Sequence, residues 1–159
     1  MNTPIAARPR LSPVAVHRIA LVVSSYNGNF VEPMLAKALE EIRTIEPQTH
    51  TEILHAPGSF EIPFLTRQVI ARRKPDAVIC LGVIFQGESG HAELIAKSVS
   101  DMLCHISVET ITPIIHGVLF LTDEEQAKAR CLGETMNRGI EAARAAIHVI
   151  RASRSLVQR

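Results

Sequence analysis

The spacing of hydrophobic positions along this chain changes period several times, and each change predicts an element. His17–Ser24 (HRIALVVS) is a short, β-branched apolar run without alternation, the pattern of a buried strand. Val31, Leu35, Ala38, Ile42 and Ile45 then recur at three- and four-residue steps and line one face of a helix. Asn29 stands where that helix needs a cap, Glu32 is at the capping-box position, and Pro47 predicts its end. Thr49–His55 reads as a second strand. After Ala56-Pro57-Gly58, Ser59 caps a helix reaching Arg73, with Pro63 in the first turn, where a missing N–H costs nothing. Ala77–Ile84 (AVICLGVI) predicts a third strand, the most buried of the set, and His91 to Ile106 a helix. Pro113–Leu119 predicts a fourth strand. Thr122 with Glu125 forms another capping box, opening a helix that stops near Gly133, and a last helix is predicted from Glu134 to Ile150.

Strands that alternate with helices of this length imply a four-stranded parallel sheet covered on both faces. The fold class is α/β, a three-layer α/β/α arrangement of flavodoxin-like type. The 159 residues suit one domain, placed at 17–150. Residues 1–16 contain Pro4, Pro9 and Pro13, and no acid precedes Glu32. They read as a flexible arm, disordered or lying on a neighbouring subunit, with a transit peptide as the alternative. Residues 151–159 carry three arginines and no acid and read as a basic, solvated tail.

Composition removes several functions. A net charge of +1 gives no electrostatic footprint for nucleic acid or an acidic partner. No apolar run approaches the ~20 residues of a membrane-spanning helix. Cys80, Cys104 and Cys131 form no C-x-x-C pair; Cys80 reads as a buried free thiol, and the set points to a reducing, cytoplasmic compartment. The seven histidines contain no H-x-x-x-H, and no metal centre is expected.

In an open parallel sheet, ligands sit beyond the carboxyl ends of the strands. That rule selects Ser25–Gly28 with Tyr26 and Asn27, Pro57–Glu61 with Gly58, Ser59 and Phe60, Gln86–His91, and Phe120–Asp123. These loops hold an aromatic ring, an amide, a carboxylate, a histidine and several glycines, none of which a core requires. Gly87-Glu88-Ser89-Gly90 runs into a helix N-terminus, whose N–H groups and dipole favour an anion such as phosphate. It equally fits an ordinary strand-to-helix loop, and it has neither the Walker ending nor G-x-G-x-x-G. His91, with Glu93 two residues on, suits proton transfer near neutral pH or serves as a cap. Glu61 reads as a ligand carboxylate or as a dipole-favourable acid, and Arg130 and Arg138 as ligand cations or solvated side chains. Tyr26 is a wall for a flat ring or a packing residue.

From about Arg18 to Ile150 the order of these pieces resembles the lumazine synthase family. Ser25-Tyr26-Asn27 is similar to its aromatic-Asn turn. APGSFEIP (Ala56–Pro63) is similar to its proline-glycine-x-x-glutamate-x-proline segment, the most specific match. LGVIFQGESGH (Leu81–His91) resembles its third strand, phosphate loop and histidine. GVLFLTDEEQAKAR (Gly117–Arg130) and NRGIEAARAAI (Asn137–Ile147) resemble its EQA-x-x-R and final helices.

The resemblance implies a step of riboflavin biosynthesis: 5-amino-6-(D-ribitylamino)uracil condenses with 3,4-dihydroxy-2-butanone 4-phosphate to a lumazine, releasing phosphate and water, with no cofactor and no metal. It implies that Tyr26 stacks on the pyrimidine. Asn27, Gly58, Ser59 and Phe60 would hold polar groups of the uracil and ribityl chain, and Glu61 the ribityl hydroxyls. Val83, Ile84 and Phe85 would line the cleft, and Gly87, Glu88 and Ser89 would bind phosphate. His91 would shuttle protons, oriented by Glu93, while Arg130 balances the phosphate charge. His116 would line the cleft, and Arg138 would lie near the uracil carbonyl. It also implies a homo-oligomer built from pentamers, with sites between subunits and the segment His116 to Arg138 supplied by the neighbour; riboflavin synthase is a further partner it allows. This chain departs from the family at Gln86, where arginine is common, and at Gly90, Ala92, Glu93, Tyr26 and Glu134. A non-catalytic flavin- or lumazine-binding relative on the same scaffold is the alternative, one that would make little use of His91 and Arg130.

Overall fold

A computed structural model describes residues 7–157 of the chain. The strands are β1 (Arg18–Ser24), β2 (His50–Ala56), β3 (Ala77–Phe85) and β4 (Ile114–Leu121). The helices are α1 (Gly28–Ile45), α2 (Ile62–Arg73), α3 (His91–Thr110), the short α4 (Glu124–Ala127) and α5 (Arg138–Val157). A 3₁₀ turn (Ser59–Glu61) leads into α2, and a π-helical turn (Lys128–Leu132) follows α4. All pairings are parallel and the order is β2-β1-β3-β4, which is the flavodoxin-like arrangement.

Side chains of a strand alternate between faces, so β1 and β3 each feed two cores. Leu21, Val23, Ile79 and Leu81 pack with Met34, Ile42 and Ile147 under α1 and α5. Ala20, Val22, Val78 and Cys80 pack with Ile62, Val69, Val99 and Leu103 under α2 and α3. The first eight residues of β3 are buried, as its continuous apolar run predicts. β2 and β4 are the sheet's edges, and both are largely open. Gly139 brings α5 onto α1: a Cβ there would lie 2.0 Å from the Met34 carbonyl oxygen.

Several predicted ends move, each for a local reason. α1 starts from Asn27, in the left-handed conformation (φ 58°), and not from Asn29. The Asn27 carbonyl accepts from Phe30 and Val31, while Glu32 pairs with His55 at 3.0 Å across the sheet end and does not cap. The Ser59 side chain makes no cap bond either. α3 continues past its last buried residue, Ile106, to Thr110 and ends on Ile111 in the left-handed region. The cap before α4 is Asp123, one residue later than expected, with Oδ1 accepting from Gln126 N at 2.8 Å.

The basic segment is largely exposed, as expected of a solvated tail, but it is helical as far as the described residues go. α5 runs through Arg151–Val157, with Arg151 bound to the buried Glu46 carboxylate (2.8 Å) and Arg154 to Asp76 (3.3 Å). Residues 158–159 lie outside the described part. At the other end, residues 7–16 form no helix or strand, yet they are tied to the body of the same chain. Arg8 donates twice to Glu41 (2.8 Å each), Ser12 N–H reaches Ile45 O (2.9 Å), and the His148 ring meets Ala7 O (3.3 Å). The expected arm at 1–6, including Pro4, lies outside the described residues.

Candidate active site

The expected ligand-binding residues gather at the carboxyl ends of β1, β2 and β3 around a cleft of about 440 Å³. Tyr26, Asn27, Gly58, Ser59, Phe60, Glu61, Val83, Ile84, Phe85 and His91 all line it. Asn27 Nδ2 donates to Val83 O at 2.8 Å and so fastens the β1 loop to β3. Phe85 is held edge-on against Phe30, with centroids 5.6 Å apart. A Cβ on Gly58 would lie 3.1 Å from Glu61 Oε2, so the carboxylate folds back over the Gly58 backbone. Tyr26 and Phe60 are 71% and 60% exposed, two large rings left uncovered at the mouth.

The sequence reading missed Ala92 and Ile95, which close the α3 side of this cleft, and Gly82 beneath it. A Cβ on Gly82 would fall 2.7 Å from Ser59 Oγ, so only glycine lets the Ser59 hydroxyl bury against β3. A lone glycine inside a branched apolar strand is a signal of such close approach.

The remaining candidates line a second cleft of about 430 Å³. It runs along the open edge of β4 and is walled by the π-helical turn and α5. His116, Arg130 and Arg138 lie here, with Gln126 and Glu141. His116 Nε2 is 2.8 Å from Ser100 Oγ. Because the single Ser100 hydroxyl proton goes to Ala96 O (2.8 Å), His116 Nε2 is the donor. Arg130 is half-buried, with Nη1 directed to Gln126 O at 3.5 Å. Arg138 is paired with Glu141. Asp123, which caps the helix leading to Arg130, is held below the ordinary carboxylate range by the Gln126 backbone N–H and the Thr122 hydroxyl.

No lining residue is shared between the clefts, so His91 and Arg130 are not brought together within one chain. Gly87, Glu88 and Ser89 are exposed and line neither; they form the loop that enters the N-terminus of α3. The expected orientation of His91 by Glu93 is not made: among the described residues no hydrogen bond joins them. Residues two apart on a helix point to different sides, and Glu93 takes the place of a first-turn acid. The cysteines are all free. Burial pushes the Cys80 thiol up to about 12 and the Cys131 thiol up to about 11, so neither is a nucleophile at neutral pH. Among the described residues no group of three or more His, Cys, Asp or Glu could hold a metal ion, and no helix is long and apolar enough to cross a membrane.

A flavodoxin-like sheet with polar, histidine-bearing loops beyond its strand ends, and a second, arginine-lined cleft on its open edge, places the chain among α/β proteins whose clefts suit small polar molecules. Comparison with known proteins narrows the class. The 6,7-dimethyl-8-ribityllumazine synthase family matches residues 16–154, and the chain belongs to it. It is similar to the 6,7-dimethyl-8-ribityllumazine synthase of Pyrococcus furiosus, 40% identical over 139 residues, or 87% of each chain. The enzyme of the same name from Kosmotoga olearia is 31% identical over 140 residues, covering 87% of this chain and 90% of the relative. 6,7-Dimethyl-8-ribityllumazine synthase 1 of Caulobacter vibrioides is 33% identical over 140 residues, covering 87% and 92%. The chain is accordingly a transferase of riboflavin biosynthesis.

Proposed function

We propose that this chain condenses 5-amino-6-(D-ribitylamino)uracil with 3,4-dihydroxy-2-butanone 4-phosphate to 6,7-dimethyl-8-ribityllumazine, in sites completed by a neighbouring copy of itself. The observation that carries the shared site is the division of candidate residues between two separate clefts, His91 in one and Arg130, Arg138 and His116 in the other. An enzyme that needs both sets must bring the first cleft of one subunit against the second of the next. Closed rings do this for every subunit at once; following the family resemblance, the ring is a pentamer.

In this reading Tyr26 stacks on the pyrimidine. Asn27 and the backbone from Gly58 to Phe60 hold its polar groups and those of the ribityl chain, and Glu61 accepts from the ribityl hydroxyls. The N–H groups of Gly87, Glu88 and Ser89 at the start of α3 receive phosphate, with the partner's Arg130 balancing its charge. Arg138 reaches the uracil carbonyl after giving up Glu141, a half-exposed pair that costs little to open. Schiff-base formation, phosphate elimination and ring closure each move protons, and His91 is the group suited to carry them near neutral pH. Much of the acceleration comes from holding two substrates in one cleft. The resemblance supplies no cofactor. Three free cysteines suit a reducing, cytoplasmic compartment, with riboflavin synthase as the consumer of the product.

The test is a direct assay, following the lumazine chromophore against the slow uncatalysed condensation. Clear acceleration is expected, with His91→Ala lowering turnover by ~10–100-fold while ligand binding survives. A protein that binds the ribityl ligand and accelerates nothing would be a binding relative, and the proposal would fail.

A further inference from the structure

Asn137 is fully buried between the π-helical turn that carries Arg130 and the first residue of α5, Arg138. Its side chain makes two kinds of bond. The amide oxygen accepts from the backbone N–H groups of Gly139 (2.9 Å) and Ile140 (3.4 Å), which caps α5. The amide nitrogen donates to the carbonyls of Cys131 and Gly133, both at 2.9 Å, where the π-helical turn ends. Both amide protons are thus used.

Capping requires only the oxygen, and a serine or threonine hydroxyl supplies that as well. The two donated bonds are surplus to the cap. What they do is join the end of the Arg130 turn, whose last carbonyls lack helical partners, to the start of the Arg138 helix. The turn closes with Gly133 N–H on Lys128 O (3.1 Å), a wide π-type register of the kind that recurs at functional sites. The helix side of the joint is rigid, because Gly139 seats α5 directly on the α1 backbone at Met34. Ala127 and Cys131 pack the Arg130 turn into the core, and Asn137 ties the end of that turn to the start of the Arg138 helix.

We propose that Asn137 is a positioning residue that sets the separation of Arg130 and Arg138, and with it the registry of the two substrates. This rests on the reading of Arg130 as the phosphate-side cation and Arg138 as the pyrimidine-side cation. Each cation still holds its own substrate when the joint slackens. The joining step suffers, because a displacement of about 1 Å between reacting groups costs on the order of 100-fold.

The experiment compares Asn137→Ser with the parent in the assembled protein. Serine keeps an oxygen for the cap and removes both donors. Asn137→Thr is made in parallel; its methyl group fills the space left by the amide, which guards against a failure of the serine variant to fold. The expected result is a ~10–100-fold fall in kcat per folded molecule, with both KM values within about twofold and assembly mass near the parent's, beside the lower thermal midpoint that losing two buried hydrogen bonds brings. A merely structural asparagine would lower the midpoint and leave kcat per folded molecule intact, and that result overturns the proposal. So does a rise in both KM values at unchanged kcat. Arg130→Ala and Arg138→Ala are measured alongside. If each raises the KM of its own substrate and the Asn137 variants keep kcat, the positioning role alone falls. If neither arginine variant changes either KM, the reading of the site falls and the positioning role with it.

Discussion

Gln86 lies exposed in the loop between β3 and α3, one residue before the glycine that opens the proposed phosphate site. Relatives in the resemblance commonly carry arginine there. An added cation beside an exposed anion contributes about 1 kcal/mol, roughly fivefold in affinity. Gln86→Arg is therefore expected to lower the KM for the butanone phosphate by about that factor, a gain that salt diminishes. A KM that stays put or rises would separate this loop from phosphate binding. Other positions at this scale were unevenly legible. Tyr26, Asn27, Glu61 and His91 follow from the strand-end rule and do meet in one cleft. The resemblance gives Glu93 the orienting role, yet among the described residues no hydrogen bond joins it to His91, two positions away on the same helix. Asn137 stands in the sequence only as the first residue of the final-helix motif, since one polar residue before a helix looks like any cap until its second pair of bonds is seen.

Helix α1 carries two buried carboxylates, Glu41 inside it and Glu46 at its end, that tie Arg8 and Arg151 to the core. Burial alone would raise the Glu41 carboxyl, but hydrogen bonds from Arg8 and Arg144 overcome this and hold it below the ordinary 4.5. As pH falls, the unfolded chain takes up this proton before the folded one does. The contribution of Glu41 to stability is thus complete above its ordinary value and is lost as pH drops through the lowered one. Glu41→Gln is expected to have a lower thermal midpoint at pH 7, and the gap to the parent should narrow on acidification towards pH 3. A gap that stays constant with pH would show that the carboxylate takes no part in the acid response. The sequence reading identified every strand and every long helix, because period and turn residues are local properties. It ended α5 too early because Arg151 and Arg154 look like solvated charge, whereas their partners, Glu46 and Asp76, are more than seventy residues away.

At the scale of the molecule, each chain presents two separate clefts, one at the strand ends and one on the edge of β4. If neighbours complete each other, variants defective in different halves should rescue one another. His91→Ala and Arg130→Ala chains, each impaired alone, are expected to regain activity when denatured together at equal amounts and reassembled. About a quarter of the sites in a random ring would then draw both intact residues from their two contributing chains. Activity no higher than the mean of the two separate preparations would mean that each chain works alone. The alternation of four strands with helices was determined by the sequence itself, and with it the parallel sheet and the loops beyond its strand ends. The reason is that burial on both faces and chain reversal are written in neighbouring residues. Only the tertiary structure decided that His91 and Arg130 line different clefts, that Asn137 bridges two cation-bearing segments, and that Arg8 and Arg151 are anchored on the carboxylates of α1. Those arrangements depend on where distant segments meet, and no local period encodes that.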